Sequence, residues 1–112
     1  MSHVRIETAD TLRGLAMGES SVVEGVLGVH ENLEDSGLDQ RLYGLVKLAS
    51  LIALDAPQAS YVALVAVALD AGATPEELLG VLVAVSPEVG MPKVVAAAPR
   101  LMLALGLTAT EP

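Results

Sequence analysis

Side chains able to do chemistry are few in this chain and unevenly placed. The one cluster with ligand-like types is His30-Glu31 followed by Glu34 and Asp35. His30 and Glu34 stand four residues apart, so on a helix both could face one metal ion. The competing account is a solvated acidic helix end, and on balance no metal and no cofactor are expected. His3, near the start of the sequence, has no partner of useful type beside it. Lys93, just after Pro92, and Arg100 could each meet an acidic partner or ligand, or else serve as surface charge. A cation at a helix start opposes the helix dipole, which marks Lys93 for a closer look. There is no cysteine, which excludes disulfides, thiolate metal sites and thiol nucleophiles together.

Charge excludes further classes. Fourteen acidic residues against six basic ones give a formal charge of −8 over 112 residues. Phosphate backbones demand clustered Lys and Arg, so nucleic acid is not expected as a partner. Tyr43 and Tyr61 are the only aromatics, too few for a base-stacking platform. Residues 1–40 hold eight acids against two bases, and the remainder six against four. Such an asymmetry can steer a basic partner onto the N-terminal region, or simply maintain solubility. The longest charge-free stretch, Ala56 to Leu69, is 14 residues with Pro57 inside it. A spanning helix needs about 20 apolar residues. The opening residues lack a basic start followed by an apolar run. No membrane span is expected, and the cytoplasm is the expected location.

The elements that must position these residues read as helices throughout. The chain is 53% apolar, enough to bury a core, and its length suits one domain spanning 1–112. A first short helix is predicted from Asp10 to Met17, ended by Gly18. A second starts near Ser20 or Ser21, with Val22, Val23, Val26, Leu27 and His30 at helical spacing, and fades into a loop over Glu31 to Gly37. Asp39 can cap a long helix with Leu42, Leu45, Val46, Ala49 and Ile52 on one face. Asp55-Ala56-Pro57 marks the next boundary. From Ser60 to Ala71 the following helix is apolar almost all round, and such a helix must be enclosed. A chain this short offers little to enclose it, so an obligate homo-oligomer is expected, with this helix at the subunit contacts and Val65 and Ala68 as positions to charge. Thr74-Pro75-Glu76-Glu77 carries the signature of a capping box with proline at the first helical position. That helix should run to a break at Ser86-Pro87. A last one should cover Lys93 to Leu105 with a kink at Pro99. The Pro57–Ala71 and Thr74–Val85 helices are expected to pack antiparallel as a central pair, joined by the short Gly72-Ala73 connection.

Three signals in order then resemble one family. Gly37-Leu38-Asp39 opens a helix, Ala71-Gly72-Ala73-Thr74-Pro75-Glu76-Glu77-Leu78 follows, and Gly90-Met91-Pro92 comes after that. This order and spacing resemble the carboxymuconolactone decarboxylase and alkylhydroperoxidase D superfamily, over roughly residues 22–105. The resemblance implies an all-α, AhpD-like fold assembled as trimers or hexamers. In the peroxidase branch the helix before the glycine carries Cys-x-x-Cys-x-x-x-His, and counting back from Gly72 those places hold Pro57, Ser60 and Leu64. The relay glutamate falls at Gly44 or Leu45. In the decarboxylase branch the histidine again falls at Leu64 and its glutamate at Ser60. None of these residues can do the work of the one it replaces.

Near the place where the resemblance puts an active site lie Ser50, Ser60 and Tyr61, with Lys47 three residues before Ser50. A Ser–Lys pairing is one arrangement to consider, and a Tyr61 general acid whose pKa Lys47 lowers is another. Against these stand a helix-bonded serine, a core tyrosine and a snorkelling lysine. Three functions follow. One is a family member without the catalytic residues, a non-redox homo-oligomer that binds a small apolar ligand or serves a structural role. Another is a decarboxylase or lactone-type enzyme with chemistry relocated to Tyr61, Ser60 and Lys47. The third is a partner-binding module using the acidic N-terminal region. Thiol peroxidase activity is excluded by composition.

Overall fold

The computed structural model describes residues 3–22 and 32–108, which are helical with no strand. They belong to two compact units, residues 1–37 and residues 38–112.

In the first unit α1 spans Ile6–Ala16. It starts four residues before the expected Asp10. The extra turn has the Arg5–Glu7 ion pair beside it, and the Thr11 hydroxyl donates to the Glu7 carbonyl at 3.0 Å. Asp10 is therefore an interior residue, pairing with Arg13 at 2.9 Å, and not the first residue of the helix. Gly14 is buried against Val22, whose Cγ2 would lie 2.6 Å from any Cβ placed there. Residues 20–22 begin a helical turn; most of the expected second helix, His30 included, lies outside the described residues. The stretch expected as loop contains the one-turn helix α2, Leu33–Ser36, closed by Gly37 in the left-handed region at φ 71°.

The second unit is a bundle of four helices: α3 (Gln40–Leu54), α4 (Gln58–Asp70), α5 (Pro75–Val89) and α6 (Met91–Ala104). Asp39 caps α3 through the Leu42 amide at 2.8 Å, as its position predicted. The inward face of α3 is Gly44, Leu48 and Ile52, whereas Leu42 and Val46 of the expected face are exposed. The close approach of α4 accounts for that rotation. A Cβ on Gly44 would sit 3.1 Å from the Ala68 Cβ, so glycine lets the two helices touch.

The α5 helix continues through Ser86-Pro87 to Val89 where a break was expected. Pro87 has no N–H for the Val83 carbonyl four residues back, and the Ser86 hydroxyl donates to that carbonyl at 2.8 Å. The α6 helix likewise starts two residues early, at Met91, and runs through Pro99.

The expected central pair is not what the bundle builds. The helices now seen as α4 and α5 each pack on both α3 and α6, and α3 also meets α6, while α4 and α5 occupy opposite corners. The short link reverses the chain without laying its two helices along each other, since each packs instead on α3 and α6. The core is Leu48, Ile52, Tyr61, Val65, Ala68, Leu78, Leu82, Ala97 and Leu101, flanked by Ala56 and Ala73. Burying a large aliphatic side chain of this kind stabilises the fold by about 1.5–3 kcal/mol.

Candidate functional site

The residues singled out by sequence gather around the start of α4 and the end of α3. Pro57 is the N-cap of α4 and offers no side-chain hydrogen bond to the helix. Ser60 and Leu64 follow on the same helix, both half-buried. Tyr61 between them is fully buried, and its hydroxyl has no hydrogen-bond partner. Burial pushes the Tyr61 hydroxyl above its ordinary pKa of 10.0, with Asp55 adding to the rise and Arg100 opposing it. A sealed phenol held in its neutral form is poorly placed to give up a proton.

Lys47 does not act on Tyr61. Its ammonium lies over the Tyr43 ring, 4.9 Å from the centroid, and the basic group that influences Tyr61 is Arg100. The expected lowering of the Tyr61 pKa by Lys47 is thus replaced by a rise from desolvation. Ser50 donates to the Lys47 carbonyl at 2.7 Å, a serine bonded back into its own helix.

The cations marked by sequence have partners inside the chain. Arg100 pairs with Asp55, and the Arg100 carbonyl accepts from the Gln58 side chain at 2.8 Å. Asp55 is the C-cap of α3 in the left-handed region at φ 53°, an uncommon place for a residue with a side chain. Lys93 donates to the Ala53 carbonyl at 2.6 Å. That carbonyl is one of the four at the end of α3 with no partner inside the helix, so the cation serves the negative end of α3. Its placement at the start of α6 is explained by the neighbour it reaches. Sequence gave no local sign of either contact, since they join residues 45 and 40 positions apart.

Glu77 does two things at once. It accepts from the Thr74 amide at 3.0 Å while the Thr74 hydroxyl accepts from the Glu77 amide at 3.1 Å, completing the predicted capping box. It also accepts from Arg41 of α3, through Nε at 3.1 Å on one oxygen and through a second guanidinium nitrogen on the other. The motif therefore fixes the start of α5 to the start of α3, a part sequence reasoning missed because Arg41 is distant in the chain. Of the metal candidates, His30 lies outside the described residues and Glu34 is exposed on α2.

A family model described as Carboxymuconolactone decarboxylase family matches residues 22–101. The chain belongs to the carboxymuconolactone decarboxylase family. That match contains α2 to α5 and nearly all of α6, and takes in Pro57, Ser60, Leu64 and the Thr74–Glu77 box. Neither a curated protein nor a solved structure gives a match. This family member contains no cysteine, and none of its described helices is long and apolar enough to cross a membrane.

Proposed function

We propose that this protein is a carboxymuconolactone decarboxylase family member without the family's catalytic residues, with the whole chain read as one such domain. It acts as a non-redox homo-oligomer that binds a small apolar ligand or serves a structural role. The observation that carries the reading is the start of α4. Pro57, Ser60 and Leu64 stand at the positions that the resemblance assigns to catalysis, and the one phenol beside them is sealed in the core. A trimer or hexamer is the assembly this reading takes over from the family resemblance.

Without sulfur there is nothing to carry peroxide oxygen as a sulfenic acid. An assay of peroxide reduction with a dithiol reductant should show no turnover above buffer, and carboxymuconolactone should be left intact. Native mass spectrometry of the purified protein should show an oligomer, with any bound mass belonging to a small apolar compound. Turnover of carboxymuconolactone would reject the silent reading.

A further inference from the structure

We propose that residues 55–57, the turn between α3 and α4, form a strap that opens while the rest of the bundle stays folded and brings the Tyr61 hydroxyl into water. The turn leaves α3 at Asp55, passes the buried Ala56 and enters α4 at Pro57. Tyr61 is the first buried residue of α4, one turn further on. Helical side chains lean toward the N-terminus of their own helix, which sets the phenol beneath this turn. Beyond burial, the charges that bear on its hydroxyl are those of Arg100 and Asp55, the pair that closes the turn from outside.

The side-chain contacts that tie the turn down come from α6. Arg100 serves twice: its guanidinium pairs with Asp55 on one side of the turn, and its carbonyl accepts from the Gln58 side chain on the other at 2.8 Å. Two helical turns earlier, Lys93 donates to the Ala53 carbonyl at 2.6 Å.

Two features of the closed turn work against it. Asp55 stands in the left-handed region at φ 53°, where a side chain crowds the following carbonyl. The Tyr61 hydroxyl is the one buried side-chain polar atom without a partner among the described residues, and reaching water would give it one. A movement of the turn relieves both together. The ion pair that resists is partly solvated, with the Asp55 and Arg100 side chains 53% and 31% accessible, and pairs in such surroundings contribute little. A segment held by contacts of this kind belongs to the low end of local stability. The strap thus decides whether the one phenol of the core is shielded or wet.

Nitration by tetranitromethane at constant pH tests this on the full chain. Trypsin separates the two tyrosines, Tyr43 in residues 42–47 and Tyr61 in residues 48–93, so mass spectrometry follows each. Arg100→Met should nitrate Tyr61 at least tenfold faster than the wild type, with Tyr43 unchanged and the thermal melt still cooperative. Loss of the Arg100 charge by itself works the other way, since that charge favours the reactive phenolate. Gln58→Ala alters no charge; it should act in the same direction and decides the matter if Arg100→Met does not fold. Leu82→Ala, in the core on α5 away from the turn, should melt lower yet leave the Tyr61 rate as it is. Tyr61 rates that simply follow melting temperature across the three variants would overturn the strap, because global unfolding would then be what exposes the phenol. A Tyr61 rate indifferent to both Arg100→Met and Gln58→Ala would overturn it as well. None of these readouts depends on activity, ligand or assembly, so the proposed function stands or falls separately.

Discussion

Tyr61 concentrates the largest side chain of the core and its one orphaned polar atom in a single residue among those described. A buried hydroxyl without a partner costs about 1–3 kcal/mol. Tyr61→Phe deletes that cost and keeps the ring, so the variant should be more stable by about 1 kcal/mol, a rise of about 4–8 °C for a domain of this size. Differential scanning calorimetry reads this directly, and a drop in melting temperature would show that the hydroxyl is satisfied in solution. The same residue sets an alkaline limit. Its folded pKa is raised above the unfolded value of 10.0, so the folded state holds the proton longer. The stability it contributes is complete below pH 10 and is lost as pH rises through the folded pKa. Urea midpoints from pH 8 to 11 should fall above pH 10 in the wild type and fall less in Tyr61→Phe.

Between elements, Glu77 joins a helix cap to an interhelical ion pair. Glu77→Ala removes both and should cost about 1–3 kcal/mol, seen as a lower urea midpoint. Glu77→Gln keeps an acceptor for the Thr74 amide but gives Arg41 no charge, and should fall between the two. Equal midpoints for wild type and Glu77→Ala would show that the box contributes nothing. The box itself was legible in the sequence because every partner lies within four residues; the Arg41 contact was not, since nothing local records which helices meet. The same reason explains the other misses. The cap at Asp39 and the end at Gly72 could be read from single residue types. The inward face of α3 could not, because it depends on Gly44 meeting Ala68. Pro87 read as a break because sequence pattern does not show that Ser86 would serve the Val83 carbonyl. Of the site, Pro57, Ser60 and Leu64 could be picked out by counting back from Gly72, and their standing in for catalytic residues is part of the function proposed above. The role of Lys93 was hidden, since it depends on the end of α3.

At the scale of the molecule the core belongs to one part of the chain. Every residue of the buried apolar cluster lies between Leu48 and Leu101. In residues 1–37 the buried position among those described is Gly14, packed on Val22 of the same unit. Val65 and Ala68, offered above as interface positions, are 1% and 0% accessible within this core, so a charge there would break the fold before it tested any assembly. The acidic excess, by contrast, sits mainly in residues 1–40. A chain of residues 38–112 should therefore keep its helical circular dichroism and melt cooperatively within a few degrees of the full protein. It should also lose most of the net negative charge, carrying seven acids against four bases. If the N-terminal region serves as an acidic docking face, binding of a basic peptide such as oligolysine should weaken sharply in the shortened chain and with added salt. Equal binding by both chains would assign the charge to solubility, and loss of the cooperative melt would mean that residues 1–37 complete a core which the rest cannot close alone.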